Sequence, residues 1–247
     1  ADASTALVVV DVNRPSYTEE PQLLKLVKTI VVIDHHRQSS EIISNATLSY
    51  VEPYASSACE LVAEILQYVA DSIRIKSAEA EAMYAGIVID TNNFKNQAGV
   101  RTFEAAAFLR RNGADVTRIR KMLRDKMEDY KARAEAVRQA EVFEGDFAIS
   151  ICPSEGVESP TVVGAQAANE LLNIVGIKAS IVLTAYEGKI YVSARSIDEV
   201  NVQVMMEKMG GGGHRTIAGA QLSGVTVEEA KEKIKEIIRE MKEKGEI

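Results

Sequence analysis

The chain has 247 residues, enough for one large domain or two ordinary ones, and its 46% hydrophobic and 26% charged content is that of a globular protein. A net charge of -7 argues against broad binding to long nucleic acids, which needs a basic surface, but admits a small phosphorylated ligand whose charge is met locally. Two distant cysteines, Cys59 and Cys152, offer no disulfide framework and fit a reducing cytoplasm; there is no signal peptide, and no apolar run approaches the roughly 18 residues of a membrane helix.

Almost at once the chain enters a strand, ALVVV (Ala6 to Val10), which predicts a piece cut from a longer protein. That run and TIVVI (Thr29 to Ile33) are short, continuous and β-branched, and read as parallel strands buried on both faces. PQLLKLV between them is a short helix. Ser57 and Glu60 predict a capping box opening the helix ELVAEILQYV. SAEAEAMYAGIVID reads as an apolar helix ending at Asp90, and RTFEAAAFLRRNG as a helix stopped by Gly113. Lys121 to Val142 is charged and helix-forming, and is read as a helical connector. Beyond it come a strand FAISIC, a helix VVGAQAANELLNIVG closed by Gly176, and a hairpin ASIVLTAYEGKIYVSA turning at Glu187-Gly188. The last helix starts at Thr226, with Glu229 completing its cap, and Val227, Ala230, Ile234, Ile237, Ile238 and Met241 line one face as core. The expected fold is α/β: a first domain at 1–125 with a parallel sheet flanked by helices, a helical linker at 126–142, and a smaller α/β domain at 143–247 with a mixed sheet.

Only three histidines occur, His35, His36 and His214, and each has a conspicuous setting. Asp11 follows the first strand directly, at the carboxyl end where α/β sheets place ligands; alone it reads equally well as a loop cap. Asp34, His35 and His36 end the second strand. Their adjacent side chains diverge, so one imidazole can bind a metal while the other faces substrate, with Asp34 orienting a ring. Asp90 ends an apolar helix and is followed by the turn formers Thr91, Asn92 and Asn93. A plain helix stop is the bland alternative, but a carboxylate at the negative end of a helix calls for a compensating cation. Mixed carboxylate and imidazole ligands suit manganese or a similar divalent ion. In the second half, MGGGGHRTIAGA offers a glycine run whose backbone can approach a ligand, preceded by Arg195, Ser196 and Asn201. Arg195 suits bidentate phosphate contact, although an arginine on a strand is more often a solvated side chain.

IDHHR, DTNNF and GGGGH, in this order and separation, resemble the DHH phosphoesterase superfamily with its DHH-associated second domain, and the resemblance spans essentially the whole chain. VVVDVNRPSYTEEP, VEPYASSACELV and MYAGIVIDTNNF are most similar to the cyclic-di-AMP phosphodiesterases of the GdpP type. The resemblance implies a hydrolase that opens cyclic di-AMP to linear pApA by two-metal activation of water, with two manganese ions in the first domain and the nucleotide gripped by the second. It implies that Asp11 bridges the metals, that His35 and Asp90 together bind one of them, that His36 faces the scissile phosphate and that Asp34 supports the site. Arg195, Ser196, Asn201, Gly211, Gly212, Gly213 and His214 would hold the substrate, with Ser56 and Ser57 as weaker phosphate contacts. It also implies a homodimer and a parent anchored in the membrane through upstream segments. Two departures stand out. The family's first motif, His-x-x-x-Asp-x-Asp, is absent and is expected upstream, and Asn13 stands where the family carries a histidine. The competing readings are an oligoribonuclease acting on short RNA such as pApA, a relative of the manganese pyrophosphatases (disfavoured by GGGGH), and an inactive nucleotide-binding module. A purely structural protein leaves the DHH and GGGGH clusters unexplained.

Overall fold

The computed structural model describes residues 1–2, 4–69 and 74–247. It divides into two compact units, Ala1–Arg124 and Asp125–Ile247.

The first unit contains β1 (Ala6–Val10), α1 (Leu23–Leu26), β2 (Thr29–Asp34), β3 (Leu48–Val51), α2 (Ala58–Val69), α3 (Ser77–Asp90), α4 (Val100–Arg111) and α5 (Val116–Met122). Its sheet is all parallel in the order β1-β2-β3, with Val8 opposite Val31 and Val31 opposite Leu48. Parallel pairing brings the carboxyl ends of β1 and β2 to one edge, which places Asp11 and the Asp34-His35-His36 run side by side. β2 buries one face fully, with Ile30 and Val32 in a core shared with Leu24, Val27 and Ile43, while Val31 and Ile33 on the other face are only half-buried. β1 departs from its expected burial: it lies at the sheet edge, and Val8 and Val10 remain 57% and 50% exposed because nothing described covers that face. β3 carries no clear sequence signal, since LSYV is too short and too mixed to stand out. The helices pack through small residues, Ala63, Ala80, Ala85 and Ala105 meeting Ile87, Leu109 and Ile119.

The second unit contains α6 (Met127–Arg138), β4 (Glu141–Phe143), β5 (Phe147–Cys152), α7 (Pro160–Leu171), β6 (Ala179–Tyr186), β7 (Lys189–Ser196), α8 (Val202–Glu207), β8 (Gly212–Gly213), β9 (Ile217–Ser223) and α9 (Val227–Glu243). Its mixed sheet runs β4-β5-β6-β7-β9-β8, with β5 and β6 parallel and the other pairs antiparallel. Strand alternation sends Ile149, Ile181 and Leu183 toward α8 and α9, and Ala148, Cys152 and Val182 toward α6 and α7, so both faces are covered. The hairpin turns through left-handed Glu187 and Gly188, the twist that suits a two-residue connection. Thr226 and Glu229 form the expected capping box, and Ala230, Ile234, Ile237, Ile238 and Met241 are buried.

The continuous connector expected over Lys121 to Val142 does not form. α5 stops at Met122, α6 begins at Met127, and the last residues become the edge strand β4. α6 buries Ala132 and Ala136 against α7, so it belongs to the second unit's packing, and that unit is about as long as the first instead of smaller. Two helix bounds also differ. α2 begins at Ala58, and α7 runs from Pro160 only to Leu171, with Gly176 left-handed beyond it.

Candidate functional site

Asp11 sits directly after β1 in a left-handed conformation (φ 67°), uncommon for a residue with a side chain, while its N–H still donates to the Ile33 carbonyl at 3.0 Å. The His35 Nε2 lies 3.4 Å from Asp11 Oδ1 and 4.0 Å from Asp90 Oδ2. Three ligand-type side chains thus converge from a strand end, a second strand end and a helix end. Asp11, His35 and His36 also offer ligand atoms that all lie within 4.8 Å of one another. The rings of His35 and His36 are 4.5 Å apart and tilted by 55°, so they point in different directions.

Asp34 is fully buried beneath this cluster. Its Oδ1 accepts the backbone N–H groups of His35 (2.8 Å) and His36 (3.2 Å) and the His36 Nδ1 (2.8 Å). Burial works to raise the Asp34 carboxyl, but the His36 ring and the backbone amides outweigh it and hold it below the usual range. The same ring contact raises His36 against its own burial. Asp90 is raised, first by burial and further by the Asp11 charge, although His35 opposes the shift. Two facing carboxylates, one of them already resisting ionisation, form a donor set that a divalent cation would relieve.

The DTNNF segment is a fixed turn. Buried Thr91 donates its hydroxyl to the Ile87 carbonyl (2.6 Å) and accepts the Phe94 N–H (2.9 Å), while its carbonyl takes the N–H groups of Lys95 and Asn96. Asn92, Asn93 and Phe94 are all left-handed. Beside Asp11 and Asp90 lies a cavity of about 290 Å³ lined mainly by apolar side chains, among them Cys59, Val62, Met83 and Ile89. Burial pushes the Cys59 thiol up to about 11, which keeps it neutral there.

In the second unit, Arg195 lies on β7 opposite Ile217 of β9. Its guanidinium donates to the carbonyls of Ala194 (2.9 Å) and Ala218 (3.4 Å), its buried Nε finds no partner, and it makes no ion pair among the described residues. Burial alone lowers it from its ordinary value. Asn201 caps α8, accepting the Gln203 N–H at 3.2 Å. Ser196 is buried and donates to the Val200 carbonyl at 2.7 Å. The turn between β8 and β9, which carries exposed His214, is tied to this segment by Ser196 N–H to Thr216 O and Val202 N–H to Arg215 O, each 2.9 Å.

The glycines differ in kind. A Cβ on Gly211 would land on the Gly219 carbonyl and within 2.6 Å of the Ala220 Cβ, and one on Gly213 (φ 147°) within 2.5 Å of the Ala218 Cα. Gly212 faces open space. Two of the three are therefore glycine for sheet packing, and Gly212 is the one whose backbone a ligand can approach freely.

Residues 3–87 match the model of the DHH family, N-terminal domain, and residues 149–243 that of the DHHA1 domain. The chain belongs to the DHH family. It is 45% identical over 98% of its length to the cyclic-di-AMP phosphodiesterase GdpP of Geobacillus thermodenitrificans, of which it covers 37%. It is 42% identical over 92% of its length to the cyclic-di-AMP phosphodiesterase PdeA of Listeria monocytogenes, of which it covers 35%. The chain thus spans little more than a third of these relatives. Its fold is shared with an exopolyphosphatase-related protein from Bacteroides fragilis, at a TM-score of 0.82 and 20% identity, covering 95% of this chain and 72% of that one.

The DHH match holds Asp11, Asp34, His35 and His36 and stops just short of Asp90; the DHHA1 match holds Arg195 through His214. Ser56 and Ser57 are buried, and both are used by the start of α2: Ser57 Oγ accepts the Glu60 N–H (3.0 Å), and Ser56 Oγ donates to Glu60 Oε2 (2.6 Å). The Glu60 carboxylate therefore does not close the expected box on Ser57; it turns to Ser56 and to Thr102 of α4. Cys59 is not singled out as a site residue by the sequence, because it carries no spacing signal. No described helix is long and apolar enough to cross a membrane.

Proposed function

We propose that this chain carries the metal centre and the nucleotide-binding domain of a phosphodiesterase that opens cyclic di-AMP to linear pApA. The observation that carries the reading is the convergence of Asp11, His35 and Asp90 beside a buried Asp34–His36 pair, in a chain more than 40% identical to relatives named for that activity.

Asp11, His35 and Asp90 are the residues that would hold a divalent cation, and their mixed carboxylate and imidazole donors suit manganese or a similar ion. When bound, such a cation activates water and offsets charge on the phosphoryl oxygens. In hydrolysis, water adds to phosphorus, the bond to the 3′ oxygen breaks, and the 3′ oxygen takes up a proton. His36 keeps Nδ1 on Asp34 and leaves Nε2 free to meet the phosphoryl group. Arg195, already desolvated and short of one acceptor, gains a charge-assisted hydrogen bond when a phosphate arrives. Both cysteines are unpaired, in keeping with a cytoplasmic setting for these domains.

The test is turnover of cyclic di-AMP, followed by separation of pApA, with manganese, magnesium or zinc. It is run on this chain and on a longer natural form that includes an upstream His-x-x-x-Asp-x-Asp strand. Manganese-dependent production of pApA, abolished by Asp11→Ala, is the expected result. Binding without hydrolysis by the longer form would overturn the reading in favour of a nucleotide-binding module. Faster cleavage of pApA than of cyclic di-AMP would make it an oligoribonuclease.

A further inference from the structure

The buried Asp34 carboxylate has two oxygens with different duties. Oδ1 serves the His35 and His36 backbone and the His36 ring. Oδ2 accepts from Asn13 Nδ2 at 2.6 Å, its one side-chain donor among the described residues. Asn13 lies in the loop after β1, two residues beyond Asp11, and is only 4% exposed. Its Nδ2 also donates to the His36 carbonyl at 3.0 Å. Both protons of one amide are thus spent on a segment more than twenty positions away. Only the NH₂ end of an amide can face a carboxylate at that distance, which fixes the orientation of the side chain; the other end, Oδ1, is buried without a partner.

We propose that Asn13 is a positioning residue, whose amide sets the rotation of the Asp34 carboxylate and through it the tautomer and direction of the His36 ring. An isolated carboxylate can rotate about its bond to the β-carbon and share its oxygens among donors. With Oδ2 pinned by Asn13, Oδ1 stays on His36 Nδ1, the proton of the neutral ring resides on Nδ1, and Nε2 points away from Asp34. The second bond, to the His36 carbonyl, holds the backbone from which the ring projects. Asn13 is suited to this task because it is neutral: a second carboxylate at the same place would repel Asp34. The consequence for catalysis rests on the role proposed above for His36 at the phosphate; the hydrogen bonds do not.

The experiment reads the ring directly. Long-range proton–nitrogen spectra of the ¹⁵N-labelled 247-residue chain are recorded under alkaline conditions without added metal. With only three histidines, His36 is assigned by loss of its signals in His36→Gln. In the wild type His36 shows a single tautomer protonated on Nδ1. In Asn13→Ala, and in Asn13→Leu, which keeps most of the volume while removing the donors and adding no charge, that single pattern is lost and the Nε2–H form appears; His35 and His214 change less. Amide spectra establish that each variant is folded, and should the alanine variant fail to fold, the near-isosteric leucine decides. A His36 ring that keeps one Nδ1–H tautomer in a folded Asn13 variant overturns the proposal, as does an Nε2–H ring in the wild type. Neither outcome depends on whether cyclic di-AMP is the substrate.

Discussion

Alanine placed in turn at Gly211, Gly212 and Gly213 separates folding from ligand contact within one short stretch. At Gly211 the new methyl meets backbone, the Gly219 carbonyl, and the Ala220 Cβ and Cα at 2.6 and 2.7 Å. The strand β9 cannot yield without giving up its pairing to β7, so the cost falls at the upper end of overpacking, about 2–3 kcal/mol. At Gly213 a clash 2.5 Å from the Ala218 Cα adds to a φ of 147° that side chains avoid, and the cost is about 3 kcal/mol. At Gly212 nothing lies within 4 Å, and the change stays within about 0.5 kcal/mol. At roughly 4 °C per kcal/mol, thermal melts should show a loss of about 8–12 °C for the outer two and no more than about 2 °C for Gly212→Ala. Titration with cyclic di-AMP then asks the second question. If the nucleotide approaches the backbone here, Gly212→Ala binds about tenfold more weakly, or about 1.4 kcal/mol, despite its normal stability. Wild-type stability in Gly211→Ala would refute the packing argument, and wild-type affinity in Gly212→Ala would remove that glycine from the binding surface.

Arg195→Ala should weaken cyclic di-AMP binding by about 2 kcal/mol, roughly 30-fold, without lowering the melting temperature, because the buried guanidinium lacks an ion-pair partner; Arg195→Lys should not restore affinity. Asp146 holds Lys242 at 2.8 Å and Lys178 at 3.2 Å, and although burial acts to raise it, these partners keep it below its ordinary value of 3.8. A depressed folded value means that the stabilisation is present above the ordinary carboxylate range and is lost as pH falls through the folded value. Asp146→Asn should therefore cost about 1 kcal/mol at neutral pH in denaturant titrations, with the gap closing in acid; a gap that persists or widens in acid would contradict the assignment. Ile234→Ala on the buried face of α9 should cost about 3 kcal/mol by the same titrations, since the site is fully buried between helix and sheet.

The local elements were legible wherever one residue pattern dominates: the β-branched runs of β1 and β2, the Glu187-Gly188 turn, and the Thr226 cap with its apolar stripe each carry their structure within a few neighbours. The Asp34-His35-His36 run and Asp90 stood out for a similar reason, because polar ligand types at the ends of apolar elements contribute little to packing. What the sequence by itself determined was therefore the list of side chains able to do chemistry, and the elements that end on them. The tertiary structure decided the rest, because it depends on partners far along the chain. Parallel pairing of β1 with β2 puts Asp11 beside His35, and the fold of α3 brings Asp90 to the same place. Packing against α7 turns an apparent connector into part of a domain, and close approach to β9 makes Gly211 and Gly213 matters of sheet geometry. Asn13 belongs to this second group: the sequence marks it only as a departure from the family's histidine, and the buried carboxylate of Asp34, 21 positions away, gives its amide a task.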